Sequence, residues 1–310
     1  MLNRRQLRIL VLQALYAYHH SDDMTLGTAS KNLISTTRSS FDLYLMLLQC
    51  LVEMEHKEEL YLSSKSKHTQ SQNHRTLSDL SFISWLKNDD AFKKETKKRK
   101  ISWANHRDVI DKLFHKLKSK DEYLIFTGKK EGKNLNERDM TLWLVSHGVL
   151  TEDVLVSTID EINVFYASSF DHVVDMIYKS LKNHFNEGSD KYKLLELYKD
   201  EKEDELFIKD LFLKSIENDQ YFEKLISEKT DNWEVDRIAM MDTILLKMAL
   251  TEIKHFSSIP VKVSINEYIE LSKNYSTPKS RIFINGVLDK IMNDLKRKGE
   301  IVKTGRGLIE

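Results

Sequence analysis

The sequence predicts an all-α fold, and three observations carry that expectation. Only two prolines and nine glycines occur in 310 residues, where average usage gives about 15 and about 22. No proline precedes Pro260. Proline and glycine are the residues that helices exclude and turns require, so a sandwich, barrel or doubly wound sheet lacks its turn formers here. Apolar residues also recur at helical spacing, beginning with Leu7, Val11, Ala14, Leu15 and Tyr18. At this length the chain holds about two domains' worth of core.

In chain order, the first 20 residues form an amphipathic helix, with Arg4, Arg5 and Arg8 beside its apolar stripe. A turn follows at Ser21-Asp22-Asp23, then a helical stretch through Leu43–Leu48 and Val52 to about Leu62. Residues 63–76 contain no apolar side chain except Lys and Arg stems and read as a polar linker. A lysine-rich patch occupies 93–100. Helical patterns resume over 103–117, 123–126, 140–149 and 159–181. Residues 206–226 read as one or two helices, 233–253 as another and 263–275 as a third. Thr277-Pro278 is a helix start signal, with threonine as N-cap and proline at the first helical position, and the final helix stops near Gly299.

Forty-eight basic residues balance 48 acidic ones, so no global attraction to nucleic acid exists. The signs are segregated, however. Residues 1–20 hold three arginines and no acid, residues 273–306 carry a net +6, and residues 198–234 a net −6. Basic ends and an acidic middle suggest two partner surfaces or two solvated helix faces. The single cysteine, Cys50, excludes an intrachain disulfide. No apolar run approaches a membrane span and no apolar leader opens the chain; the expectation is a soluble, cytoplasmic protein.

No phosphate-binding GxxxxGK[ST] or strand-borne GxGxxG occurs; the one GxG, Gly305-Arg306-Gly307, lies in the tail. Eleven histidines form no HExxH and have no cysteine partner, and no carboxylate pair sits in an apolar setting. Neither metal, cofactor nor catalysis is expected.

The last helices carry a distinctive pattern: Trp233-Glu234-Val235-Asp236-Arg237-Ile238, Met241-Asp242, Glu252-Ile253, Ile259-Pro260, Ile265-Asn266-Glu267-Tyr268-Ile269-Glu270-Leu271-Ser272-Lys273 and Phe283-Ile284-Asn285-Gly286-Val287-Leu288-Asp289. Together with Arg4-Arg5-Gln6-Leu7-Arg8 and Gln13-Ala14-Leu15-Tyr16, these resemble the NusB family of transcription antitermination factors. The close resemblance covers residues 1–20 and about 204–298. It divides the chain into N-terminal core helices (1–62), a long, largely helical insertion (63–200), C-terminal core helices (201–298) and a tail (299–310). The resemblance implies an all-helical core of two small bundles. It also implies binding of boxA-like RNA, jointly with the ribosomal protein that acts as NusE, in RNA polymerase antitermination complexes, notably on ribosomal RNA operons.

Single-stranded RNA is held by cations tracking phosphates and planar side chains stacking bases. The candidates are Arg4, Arg5, Arg8, Gln13 and Tyr16 near the first helix, and Tyr275, Lys279, Ser280, Arg281 and Phe283 around the last inter-helix turn. Tyr18, on the apolar stripe, reads as core. Phe283 reads equally as core or as a stacking residue, and the resemblance assigns it to RNA. The resemblance also points to Asp242, expected exposed, as the contact for the ribosomal protein. Lys279 departs from the family, where an acid often stands. Asn266 and Asn285 are expected at helix seams, and Gly286 at a close helix approach. Competing readings are the helical accessory domain of an RNA methyltransferase system, which needs a cofactor-binding domain downstream, and a helical scaffold whose insertion binds another protein.

Overall fold

The computed structural model describes residues 2–65, 74–188, 192–230 and 238–308, and among these every regular element is helical. The chain forms two compact units, one of Leu2–Thr37 with Tyr198–Glu310, the other of Arg38–Leu197. The sequence reading places these divisions at 62/63 and 200/201; the units divide at 37/38 and 197/198. The reason lies in α2 (Leu26–Lys65), a single helix of 40 residues. Its apolar stretch at residues 41–54 belongs to the core of the central unit, and helical periodicity runs through the division without a change in composition.

In the central unit, α2 is followed by α3 (Ser81–Asn88), α4 (Asp90–Arg99), α5 (Arg107–Leu117), α6 (Asp121–Phe126), α7 (Glu137–Trp143) with a π turn over Leu144–Gly148, α8 (Asp153–Ile162), α9 (Val164–Ala167) and α10 (Phe170–Glu187). The expected 159–181 helix is thus divided among α8, α9 and α10. Asn163 interrupts it, its side chain accepting from the Phe165 N–H at 3.0 Å to cap α9. Trp103 is fully buried and donates Nε1–H to the Met46 carbonyl at 3.0 Å. Buried Glu58 accepts from the Leu77 N–H at 2.6 Å and from the Tyr123 hydroxyl. Burial nevertheless holds its carboxyl above the ordinary glutamate value, the two hydrogen bonds opposing. Cys50 is buried, and burial raises its thiol pKa. The lysine patch becomes α4, which buries Phe92 and Thr96 and exposes Lys93, Lys94, Lys97 and Lys98.

The terminal unit comprises α1 (Arg4–His20), α11 (Glu201–Glu217), α12 (Asp219–Ser227), α13 (Met240–His255), α14 (Val261–Tyr275), α15 (Ser280–Arg297) and a closing 3₁₀ turn over Gly305–Leu308. Asn3 starts α1 by accepting from the N–H groups of Arg5 and Gln6 at 2.9 and 3.1 Å, a cap worth about 1 kcal/mol. Asp200 caps α11 at the Glu203 N–H, and Glu201, Glu203 and Asp204 in its first turn suit the helix dipole. The helix that packs against α1, α11, α12, α14 and α15 is α13. Residues 244–253 are buried without interruption, the signature of a helix surrounded by its own fold.

Two expected helix starts differ. Residues 231–237, including Trp233 to Arg237, lie outside the described residues, and α13 begins at Met240. The last helix begins at Ser280, after Thr277-Pro278, because Thr277 and Pro278 shape the preceding turn: the Ser280 N–H donates to the Thr277 carbonyl at 3.0 Å.

Among the described residues, no single helix is long and apolar enough to cross a membrane; one bent pair, Glu137–Gly148 with Asp153–Ile162, is so by length and composition only.

Candidate nucleic-acid interface

The three arginines of α1 have internal partners. Arg8 is 3% exposed. Its Nε and Nη2 donate to the two carboxylate oxygens of fully buried Glu252, each at 2.7 Å. Glu252 also accepts from the Ser264 hydroxyl at 2.7 Å and the Tyr268 hydroxyl at 3.2 Å. Desolvation opposes the guanidinium's charge, but the pairing with Glu252 prevails and raises its pKa. Arg8 therefore joins α1 to α13 and α14 and is withdrawn from any phosphate, contrary to the sequence expectation. A charge on the apolar margin of a helix demands a buried counter-ion, which the linear pattern did not display.

Arg5 is exposed on one side and makes two 2.8 Å hydrogen bonds to Glu267. Arg4 pairs with Glu203, lies 3.5 Å from Asp204, and covers the Phe207 ring with its guanidinium 4.4 Å from the centroid. The acid-rich start of α11 thus neutralises part of the basic N-terminus. Gln13 is half-buried, while Tyr16 is exposed with its ring 4.2 Å from that of His20. Tyr18 is half-buried with its ring edge towards Phe212, as its place on the stripe implies.

Asp242 is 6% exposed rather than open to a partner. Its two oxygens accept from the hydroxyls of Ser276 at 2.5 Å and Ser280 at 2.7 Å. Ser280, 2% exposed, therefore stabilises the α14–α15 turn instead of facing RNA. The sequence puts Asp242 at the surface because it follows Met241 on a helix whose other face is core, and Ser280 there as part of the last inter-helix turn; that turn, folding over α13, covers both. Asn266 and Asn285 are exposed rather than at seams, and a Cβ on Gly286 would meet nothing within 4 Å. Among the described residues, no neighbouring helix explains that glycine.

The surface of this turn combines charge with aromatic planes. Lys279 and Arg281 are exposed and take no ion pair among the described residues. Tyr275 and Phe283 are half-buried on either side of the turn, and burial raises the Tyr275 phenol pKa. Ile282 is 71% exposed beside them. Arg5, on Glu267, stands eight residues back along α14, about 12 Å of helix rise. The structure accordingly groups Tyr275, Lys279, Arg281 and Phe283, and leaves Arg4 and Arg5 on a separate, partly neutralised patch. Among the described residues, no group of His, Cys, Asp and Glu is placed to hold a metal.

These features define an all-helical protein that presents a basic and aromatic helix–helix turn. Residues 171–293 match the NusB family, so this part of the protein is NusB-like. The match begins at Asp171 in α10, ahead of the second stretch of the sequence resemblance at about 204, and does not include α1. Among curated relatives, the transcription antitermination protein NusB of Salinibacter ruber is 47% identical over 103 residues, covering 33% of this chain and 64% of that protein. The NusB of Chloroherpeton thalassium is 45% identical over 95 residues, 31% of this chain and 45% of that protein. That of Natranaerobius thermophilus is 43% identical over 79 residues, 26% and 54% respectively. The matched stretch thus spans less than two thirds of each relative. No solved structure matches the chain.

Proposed function

We propose that the protein is a transcription antitermination factor that acts by binding, without catalysis, and that its terminal unit holds a boxA-like single-stranded RNA. The observation that carries this reading is the α14–α15 turn, where Lys279 and Arg281 are exposed beside half-buried Tyr275 and Phe283. Two exposed cations offer phosphate contacts, and two half-buried aromatic side chains offer stacking that tolerates any base. Arg5 and Arg4 are secondary contacts, since each would exchange a carboxylate partner for a phosphate. Gln13 and Tyr16 would extend the contact to an RNA strand that continues past α1.

The NusB likeness supports the wider setting. The protein would work in the cytoplasm with the ribosomal protein that acts as NusE, within an RNA polymerase antitermination complex on ribosomal RNA operons. With Asp242 buried, that partner takes another surface of the terminal unit.

A titration of the full chain with a boxA-like RNA, over a range of salt and with and without the ribosomal protein, tests the reading. Single-strand affinity should fall with log salt at about −0.7 per neutralised phosphate. A slope near zero, or equal affinity for a duplex of the same sequence, defeats it.

A further inference from the structure

At the end of the α14–α15 pair away from the Tyr275–Phe283 turn lies a cavity of about 490 Å³. Lys262 at the start of α14, Lys296 at the end of α15 and Lys303 in the following tail line it, with Val261, Ile301 and Leu308. The tail is a fixed wall. The Thr304 N–H donates to the Ser257 carbonyl at 3.0 Å, and the Thr304 hydroxyl bonds the Ser257 hydroxyl at 3.1 Å. Gly307 approaches so closely that a Cβ would fall 1.9 Å from the Ser257 oxygen, which leaves glycine as the residue that fits.

Among the described residues, three lysines and no carboxylate line this space. Lys262 and Lys296 are exposed and take no ion pair among the described residues. Lys303 is half-buried, its Nζ donating to the Phe256 carbonyl at 3.0 Å. Burial lowers its ammonium pKa, with Glu252 opposing. The nearby acids are engaged elsewhere: Asp294 pairs with Lys229 and Arg297, and Glu300 with Lys254 and Tyr221. Cations of one sign gathered around one cavity attract an anion. The volume is that of a small-molecule site, and the apolar wall asks for a ligand that is more than a bare ion.

We propose that this cavity binds a nucleotide, its phosphate among Lys262, Lys296 and Lys303 and its base or sugar against Val261, Ile301 and Leu308. The nucleotide is either free or part of an RNA strand that runs along the α14–α15 pair from the turn, about 22 Å away at 1.5 Å per residue of α14. The second source rests on the RNA reading above.

The test is a binding titration of the full chain with adenosine 5′-monophosphate, with adenosine, and with a short boxA-like RNA alongside the same RNA extended at each end. The double variant Lys262→Gln/Lys296→Gln keeps the fold, since both side chains are exposed, and its melting temperature checks this. Binding of the monophosphate but not of adenosine, weakened about tenfold or more in the double variant as expected for lost charge-assisted contacts, establishes a free-nucleotide site. No monophosphate binding, but an affinity gain on extending the RNA that the double variant abolishes, establishes the strand source. If the monophosphate does not bind in a lysine-dependent way, and extension gains nothing or gains equally in the double variant, the proposal is overturned. Failure of the RNA reading alone looks different: the short RNA fails to bind while the monophosphate still titrates.

Discussion

Arg8 and Glu252 form a buried, bidentate ion pair whose remaining carboxylate capacity is taken by the hydroxyls of Ser264 and Tyr268. The pair joins the first helix of the chain to two helices more than 240 residues later. Glu252→Gln leaves the buried guanidinium with only Glu267, 3.5 Å away, as counter-charge, and Arg8→Met leaves the buried carboxylate without its guanidinium. Each should cost about 3–5 kcal/mol of stability. The double variant Arg8→Met/Glu252→Gln should cost clearly less than the sum of the two. Chemical denaturation of all three variants checks this coupling; simple additivity would dissolve the network argument.

Stability should also follow the protonation of Glu267. Hydrogen bonding to Arg5 holds this carboxyl below its ordinary value, burial opposing and the charges of Arg8 and Arg5 assisting. Because the folded carboxyl is the stronger acid, the unfolded chain binds more protons as pH falls. The contribution is complete above the unfolded value of about 4.3 and disappears as pH drops through the folded one. Glu267→Gln should therefore lower the denaturation midpoint at neutral pH and flatten the decline below about pH 4. Parallel acid limbs in the two proteins would contradict it.

Asp242→Ala should act on folding of the turn rather than on a partner surface. It removes the acceptor of the Ser276 and Ser280 hydroxyls and should cost about 1–3 kcal/mol. Thermal melting reads that loss directly. A variant of unchanged stability that no longer binds the ribosomal protein would restore Asp242 to the interface.

At the turn itself, Lys279→Gln and Arg281→Gln should each weaken RNA binding and reduce the salt slope by about 0.7. Phe283→Ala should cost about 1–3 kcal/mol of RNA affinity. Since Phe283 is half-buried, its stability loss should stay below the ~3–5 kcal/mol of a fully buried phenylalanine. Affinity and melting temperature measured on one preparation separate the stacking role from the core role; a core-sized stability loss with normal affinity in the folded fraction excludes stacking.

Gly286→Ala should stabilise the protein by up to ~1 kcal/mol, because the position lies inside α15 and the added methyl meets open space. A rise in melting temperature with loss of RNA or partner binding would mark this exposed face as one that must be approached closely.

The all-α class and most helix positions were legible in the sequence by itself. Proline and glycine scarcity and 3.6-residue periodicity are local properties, and a helix satisfies its backbone hydrogen bonds within its own segment. The NusB resemblance of the last helices was legible too, from short motifs at fixed mutual spacing, and it directed attention to Tyr275, Lys279, Arg281 and Phe283. Sequence alone also exposed the segregation of charge, including the acidic stretch that provides Glu203 and Asp204 for Arg4.

Which polar groups face water was decided only by the tertiary structure. Arg8 and Arg5 lie three residues apart in one basic cluster, yet one is buried on Glu252 and the other is exposed on Glu267. Asp242 looked exposed by helical phase, but the serines that cover it come from the turn after α14. Gly286 carried a sequence signal for close packing, and no described residue is there. Gly307, in a segment that reads as a plain tail, touches the Ser257 carbonyl. The division at 37/38 falls inside an unbroken α2. Burial, counter-ions and close approach depend on residues far apart in the chain, and periodicity reports only on a helix's own faces.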